Sequence, residues 1–260
     1  SLIGRDFELT DAPKKFVVQT LAAIILVVFG FHFTTLSIAG MNFNLGWFGL
    51  VLSVIWVVGV VNAVNFIDGM DSLATVVSMT IAVAFAAIAI IRGDIFSLVI
   101  MTSLLGSLLG FFPWNRPPAK IFMGDSGSLF IGLLLAACSL ARTTKSPTAL
   151  LVGGPILALA LPVLDTLIVM KQRFGSQSSS LGERLSRMFN ADRRHIHHIL
   201  VEKYGSAPAA IVSIWFVTLL FATSAVMTVV EDLKIYGYSI GIAALLAMVF
   251  LRYGLRRRVS

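Results

Sequence analysis

Four carboxylate and amide side chains lie within ten residues of one another, at Asn62, Asn65, Asp68 and Asp71. Asn62 and Asn65 are three residues apart and lie near one face of a helix, and Gly69 favours the end of that helix. Together these groups could hold a hydrated metal ion, a sugar or a uracil ring. The alternative interpretation is that Asp71 caps a helix and the asparagines bond neighbouring helices. Because so many polar groups in an apolar stretch are costly without partners, the pattern favours a binding site.

A second polar string runs from Asn115 to Ser128. Its glycines, Gly124 and Gly127, allow backbone amides to approach a ligand closely, and the helix predicted to follow offers free N–H groups suited to phosphate. Asp125 supplies the oxygen ligands that Mg²⁺ prefers. The alternative is an ordinary proline-rich loop in which Asp125 caps the next helix. We favour the binding site because this string is predicted to share a face with the first.

The third string consists of two arginines followed by three histidines, at Arg193, Arg194, His195, His197 and His198. Three histidines suggest zinc, but no cysteine is near and adjacent histidines rarely all face one ion. Arginine side chains match phosphate oxygens, and imidazoles add further donors. A phosphate-binding cluster is therefore the preferred interpretation, and a solvated basic loop near anionic lipid headgroups is the alternative.

One acid, Asp165, stands deeper in an apolar segment than the others. It lies about 9 Å inward of Lys171 if the segment is helical, at about 1.5 Å per residue. The sequence leaves open whether Asp165 pairs with another helix or belongs to the site.

The composition identifies the elements that must position these strings. Hydrophobic residues make up 57% of the 260 residues and charged residues only 13%, and the mean hydropathy is +0.92. Because soluble domains carry roughly 25% charged residues, a soluble protein is excluded. The single cysteine, Cys138, excludes an internal disulfide framework. We therefore predict an all-α polytopic membrane protein, a single integral membrane domain over residues 1–260.

Apolar runs long enough to cross a bilayer alternate with polar segments. They predict eight transmembrane helices, over residues 16–38, 46–66, 72–91, 96–112, 127–141, 148–170, 208–229 and 235–251. With a cytoplasmic N-terminus, sixteen of the 20 Lys and Arg residues fall inside, a strong positive-inside asymmetry. All three polar strings fall on that cytoplasmic face, and the third lies in a long predicted loop over residues 171–207.

In this order and on this face, the three strings resemble the polyprenyl-phosphate sugar-1-phosphate transferases of glycosyltransferase family 4. The matching segments are Asn-x-x-Asn-x-x-Asp-Gly-x-Asp at 62–71, Phe-Met-Gly-Asp-x-Gly-Ser at 122–128 and His-Ile-His-His at 195–198. The superfamily includes enzymes that prime O-antigen, enterobacterial common antigen and teichoic acid synthesis, and the muramyl-pentapeptide transferase. The last segment is similar to that of the N-acetylglucosamine branch.

The resemblance implies a bacterial enzyme of the cytoplasmic membrane, with several passes and an active site facing the cytoplasm. It would transfer a sugar-1-phosphate, N-acetylglucosamine-1-phosphate by preference, from a UDP-N-acetylhexosamine to undecaprenyl phosphate. UMP would be released, in the priming step of a cell-envelope polysaccharide. Mg²⁺ is the implied cofactor, with Mn²⁺ as the alternative. The other expected partner is membrane lipid; no nucleic acid is expected, and a homodimer is left open.

Residue roles follow from the same resemblance. Asp125 would be the main metal ligand, with Asn65 beside it, and Phe122 would stack on the uracil. The groups expected around the nucleoside and sugar are Asn65, Asn115, Asp68 and Asp71. The diphosphate would be held by Arg194, His197 and His198, and Asn62 and His195 are further expected substrate-binding residues. The expected catalytic residues are Asp68, Asp71, His197 and His198.

The chain departs from the family pattern at its start. Relatives carry an Asp-Asp pair where this chain has Gly4 and Arg5, with Asp6 beside them, and about three further spans before that point. Ser72 replaces a glycine common in the first string. Two alternatives therefore stand beside the transferase. One is a truncated or non-catalytic paralogue that binds UDP-sugar or polyprenyl phosphate; the other is a transporter, which would place ionisable groups near the bilayer midplane.

Overall fold

The computed structural model describes residues 12–38, 41–141, 154–174 and 195–254, most of which are helical. The helices in chain order are α1 (Ala12–Val28), α2 (Gly46–Ile67), α3 (Leu73–Arg92), α4 (Ile95–Asn115), α5 (Gly124–Leu140), α6 (Pro155–Ala158), α7 (Ala160–Phe174), α8 (Ile196–Tyr204), α9 (Ala207–Met227) and α10 (Lys234–Val249). The other elements are strands β1 (Thr35–Ile38) and β2 (Met41–Asn44), a 3₁₀ turn (Glu231–Leu233) and a π-helical turn (Phe250–Gly254).

Within the described residues, five helical segments are long and apolar enough to span a bilayer. They are α2, α3, α4, α9 and the segment Glu231–Gly254 that contains α10. These segments confirm five of the eight predicted spans. Helix α5 is apolar too, but it has 17 residues. The chain is an all-α multi-pass membrane protein whose described part also contains one short hairpin.

The first predicted span, residues 16–38, was wrong over its second half. Helix α1 ends at Val28, and Gly30 adopts a positive φ of 97°. From Thr35 the chain is extended and pairs antiparallel with β2, from Thr35 opposite Asn44 to Ile38 opposite Met41. An apolar run that contains β-branched residues suits a strand as well as a helix, and hydrophobicity alone does not separate them.

The sixth predicted span, residues 148–170, is interrupted in the structure. Residues 148–153 lie outside the described residues, and the helix that follows breaks at Leu159 between α6 and α7. A continuous helix would need a hydrogen bond from the N–H of residue 162 to the Ala158 carbonyl. Pro162 has no N–H to donate. The predicted loop over residues 171–207 is also partly helical, because α7 continues to Phe174 and α8 lies within it. Residues 175–194 are outside the described part.

Helix α3 lies at the centre of the bundle and α4 at its edge. In the apolar stretch of α3 that could span a bilayer, 61% is buried inside the protein, whereas in that of α4 only 22% is buried. Helices α2 and α5 approach each other closely, since a Cβ added to Gly132 would lie 2.8 Å from the Val61 Cα. Small residues permit such close packing of membrane helices. This packing sets the end of α2 beside the start of α5.

Candidate functional site

The three polar strings meet at one end of the bundle. Helix α2 ends and α3 begins there, with the first string between them, and α4 ends and α5 begins there, with the second string between them. Asn65 of the first string is hydrogen-bonded to Asp125 of the second. The third string reaches the same place, because a Cβ added to Gly69 would lie 2.6 Å from His197 Nε2. The structure thus brings residues from all three strings together.

Asn115 joins the first two strings from the interior. It is 3% exposed. Its Oδ1 accepts hydrogen bonds from the Ser72 N–H (3.0 Å) and the Thr75 hydroxyl (2.7 Å), and its Nδ2 donates to the Ile121 carbonyl (3.0 Å). These bonds hold the start of α3 against the loop after α4. The structure therefore gives Asn115 a positioning role, while its contact with a nucleoside stays a prediction.

The two acids of the first string have different surroundings. Asp71 Oδ2 accepts a hydrogen bond from the Ala119 N–H at 2.9 Å, and so it also ties the two loops together. Asp68 follows the last residue of α2 and is partly buried. Burial, and after it the negative charge of Asp125, raises the pKa of Asp68 to about 6. Asp68 therefore holds its charge at neutral pH against an unfavourable environment, a frequent property of functional carboxylates.

Asp125 stands in the first turn of α5 and is contacted from two sides. Its Oδ1 accepts a hydrogen bond from Asn65 Nδ2 at 2.9 Å, and its Oδ2 forms an ion pair with the Lys15 ammonium of α1. Asn65 Nδ2 also donates to Ser128 Oγ at 2.8 Å. The side chain of Asp125 is half exposed, at 50%. It is thus oriented by neighbours and still accessible.

Asn62 faces α1 rather than the other strings. Its Nδ2 donates to Gln19 Oε1 at 2.7 Å and to the Val58 carbonyl at 2.8 Å. This geometry matches the interpretation in which an asparagine bonds neighbouring helices. Substrate contact by Asn62 stays a prediction.

The histidines form a stack beside the first string. His195 and His197 are 5% and 1% exposed. The His195 ring lies between Phe66 and His197, with centroid distances of 5.3 and 5.9 Å, and His197 contacts His198 at 4.1 Å. Neither ring nitrogen of His197 has a hydrogen-bond partner among the described residues. Burial, followed by the charges of His198 and His195, lowers the pKa of His197 to about 4, so its ring is neutral near pH 7.

Phe122 and Arg194 are two further predicted site residues. Phe122 is 72% exposed and leaves an aromatic face free for stacking beside Asp125. Arg194 lies outside the described residues, and its predicted phosphate contact stays a prediction.

Sequence reasoning missed three charged or polar residues at this end, namely Lys15, Gln19 and Arg252. Lys15 and Arg252 entered only as inside charges. Lys15 and Gln19 are four residues apart, and that spacing could have shown that they share one face of α1. Arg252 donates to Asp165 at 2.6 Å, which shows that Asp165 pairs with another helical segment. No local pattern marks that pairing.

The donor chemistry fits a magnesium ion with few protein ligands. The described residues contain no cluster of three or more His, Cys, Asp or Glu side chains that could hold a metal. Mg²⁺ commonly keeps several waters and uses one or two carboxylates. Asp125 and Asp68 provide two negative charges that oppose each other. Asn65 presents its nitrogen to Asp125, so its predicted role as a ligand would require the amide to turn over.

Comparison with known proteins supplies an independent view. A family model described as glycosyl transferase family 4 matches residues 5–143, just over half of the chain. The chain is 34% identical over 219 residues to a probable undecaprenyl-phosphate N-acetylglucosaminyl 1-phosphate transferase of Bacillus subtilis, covering 84% of this chain and 59% of that protein. It is 36% identical over 158 residues to a phospho-N-acetylmuramoyl-pentapeptide-transferase of Streptococcus thermophilus, covering 59% of this chain and 44% of the relative. The chain thus spans about three-fifths or less of these curated relatives.

Proposed function

The chain belongs to glycosyl transferase family 4, and from that premise we propose that it transfers a sugar-1-phosphate from a UDP-sugar to a polyprenyl phosphate. The observation that carries the proposal is the meeting of three strings at one end of the bundle, where Asn65 bonds Asp125 and Gly69 contacts His197. The family match includes the first two strings. The names of both relatives describe transfer of a phospho-sugar.

N-acetylglucosamine-1-phosphate and undecaprenyl phosphate are the proposed donor group and acceptor. The name of the Bacillus subtilis relative, which matches 84% of the chain, contains both N-acetylglucosaminyl 1-phosphate and undecaprenyl phosphate. The His-Ile-His-His string supports the same branch. The proposed role is the priming step of a cell-envelope polysaccharide in the bacterial cytoplasmic membrane, with the site facing the cytoplasm. The positive-inside asymmetry supports that orientation.

The proposed reaction requires little covalent work from the protein. An oxygen of the lipid phosphate attacks the β-phosphorus of the UDP-sugar, the bond from this phosphorus to the bridging oxygen breaks, and UMP leaves with that oxygen. Positioning and charge stabilisation then carry the rate. Asp125 and Asp68 would hold Mg²⁺, which would neutralise the crowded phosphate charges.

The protein side chains have distinct tasks in this scheme. Phe122, which is exposed, offers a face for the uracil. Neither nitrogen of His197 has a partner within the described part of the chain, and its ring is neutral near pH 7, so it can donate one hydrogen bond to a phosphate oxygen without adding charge. Lys15 places a cation beside Asp125 and would attract phosphate if Asp125 held Mg²⁺. Asn115 and Asp71 keep the two loops in register.

The test is UMP release from UDP-N-acetylglucosamine with undecaprenyl phosphate and Mg²⁺ in detergent. We expect release by the wild type and a loss of at least about 10³-fold in Asp125→Asn, as expected when charge stabilisation of a phosphoryl transfer is removed. Asp94→Asn is the matched control, because Asp94 caps α4 at the opposite end of the bundle and asparagine also caps helices.

Three results would contradict the proposal in different ways. Wild-type turnover in Asp125→Asn would remove the metal role. Binding of UDP-N-acetylglucosamine without UMP release would favour the non-catalytic alternative. Flux of the nucleotide sugar into proteoliposomes without UMP formation would favour a transporter.

A further inference from the structure

A buried polar cluster stands behind the histidine string. Asp165 of α7 is fully buried, and its two oxygens accept three hydrogen bonds. Oδ2 is 2.8 Å from His195 Nδ1, and Oδ1 accepts from the Ile196 N–H (3.1 Å) and from an Arg252 guanidinium nitrogen (2.6 Å). Arg252 is 3% exposed. One carboxylate thus joins α7, the start of α8 and the π-helical turn after α10.

The π-helical turn after α10 is also bonded to α8 near the C-terminal end of that helix. The Lys203 ammonium donates to the carbonyls of Leu251 (2.8 Å) and Arg252 (3.1 Å). A π-helical turn displaces carbonyls from the regular helix pattern, which leaves them for such a donor. Helix α8 is therefore held at its first residue through Asp165 and near its last through Lys203.

Stability alone is a weak explanation for this cluster. Burying two charges costs several kcal/mol per ion, and well-packed apolar replacements are often as stable as a buried ion pair. The geometry provides a different explanation. A carboxylate oxygen accepts hydrogen bonds, so His195 Nδ1 must carry a proton, and this bond fixes both the ring orientation and the tautomer. The Ile196 bond satisfies one of the free N–H groups at the start of α8.

The fixed ring of His195 determines where the next histidine lies. His195 and His197 are stacked with an interplanar angle of 10°, and His197 fills the space above Gly69, where a Cβ would be 2.6 Å from Nε2. A change in the His195 tautomer or in the start of α8 would therefore move His197 relative to the Asp68–Asp71 turn. Asp165 itself is bonded to His195 and acts on His197 only through it.

We propose that Asp165 and Arg252 are positioning residues for the histidine string: they hold His195 in its Nδ1-protonated form and fix α8 so that His197 faces the Asp68–Asp71 turn. This proposal rests on the transferase function above. Both residues thereby gain a function. The sequence left the role of Asp165 open and marked Arg252 only as an inside charge.

The test uses two variants and one control. Asp165→Asn keeps the shape but places an amide N–H against His195 Nδ1, which forces the other tautomer. The double variant Asp165→Leu with Arg252→Met removes both charges together and avoids an unpaired buried charge. Thr166→Val is the control, since Thr166 is the adjacent buried residue and its hydroxyl has no partner among the described residues.

Two readouts separate positioning from simple support. The first is ¹⁵N NMR of the labelled imidazoles in detergent, which is practical because the chain has four histidines; His195→Gln identifies the His195 signal. The second is the split between kcat and KM for UMP release. We expect both variants to lose the Nδ1-protonated signal and about 10- to 100-fold in kcat, as when carboxylates that orient histidines are removed at other sites. KM for the UDP-sugar and the Thr166→Val variant should change little.

Several outcomes would overturn the proposal. They are an unchanged His195 signal in Asp165→Asn, a wild-type kcat in that variant, or full recovery of kcat together with stability in the double variant, which would make the ion pair purely structural. If the wild type releases no UMP, the proposed transferase function fails for this chain. The positioning proposal is then decided by the His195 signal alone.

Discussion

At the scale of single residues, the site contains a partly buried carboxylate, Asp68, close to a second carboxylate, Asp125. Burial and the negative charge of Asp125 both raise the pKa of Asp68 and so favour its neutral form. Asp125 is instead oriented by Lys15 and Asn65. In the proposed reaction, a divalent cation held by these two carboxylates would relieve the repulsion between them.

Replacement of Asp68 by asparagine should stabilise the protein while removing activity. The pKa of Asp68 is about 6 in the folded state and 3.8 ordinarily, so its favourable contribution is complete below about pH 3.8 and is lost as the pH rises through 6. Asp68→Asn should therefore raise the free energy of unfolding at pH 7.5 by about 1 kcal/mol, after allowance for solvent screening. Thermal unfolding in detergent without divalent cations measures this gain.

The pH dependence provides the check on that cause. The gain in Asp68→Asn should shrink toward zero near pH 4, where wild-type Asp68 is protonated too. Asp94→Asn makes the same chemical change at a helix cap and should show no such pH-dependent gain. A gain that is equal at pH 4 and 7.5 would mean that the Asp68 charge is not its source.

At the scale of elements, the start of α3 is the most constrained junction of the site. Ser72 precedes the helix in a left-handed conformation with a φ of 62° and makes no side-chain cap hydrogen bond. Its N–H is instead bonded to Asn115. A residue with a Cβ is strained there by roughly 1–2 kcal/mol, and the family resemblance implies a glycine at this position.

Ser72→Gly should therefore stabilise the protein by about 0.5–1 kcal/mol, because relief of the left-handed strain outweighs the added freedom of the unfolded chain. Ser72→Ala is the control, since it removes the hydroxyl and keeps the Cβ. The midpoint of unfolding in a denaturant series compares the three proteins. Equal midpoints for the alanine and glycine variants would show that backbone strain is absent.

At the scale of the whole molecule, the two ends of the bundle differ in chemistry. All the described residues of the three strings lie at one end, and the opposite end contains the 3₁₀ turn and the cap at Asp94. The charge asymmetry supports the proposal that the first end faces the cytoplasm. Sidedness is therefore a property of the complete bundle that can be measured directly.

Cysteine labelling in intact cells should show this orientation. In a Cys138→Ser background, Glu231→Cys should react with a membrane-impermeant maleimide, because Glu231 is 82% exposed and lies at the end proposed to face outward. Lys120→Cys lies in the exposed loop between α4 and α5 and should react only after permeabilisation. The reverse pattern would place the site outside and contradict the proposed use of a cytoplasmic nucleotide sugar.

Much of the architecture was predictable from the sequence. The membrane class, five of the spans and the collection of the polar strings at one end follow from hydrophobicity and charge, which are local properties read within a window of about 20 residues. Strand and helix were confused at Thr35–Ile38, because both conformations accommodate a short apolar run. The interruption at Leu159 was missed although Pro162 was visible.

The residues of the polar strings show where local sequence patterns stop being sufficient to predict contacts. The sequence by itself determined that the asparagine and aspartate string, the Asp125 loop and the histidines belong to one face. Only the tertiary structure decided their partners: Asn62 with Gln19 across 43 residues, Asn65 with Asp125 across 60, and Asp165 with Arg252 across 87. Periodicity fixes the face of a helix on which a side chain lies, whereas its hydrogen-bond partner depends on which helix packs against that face.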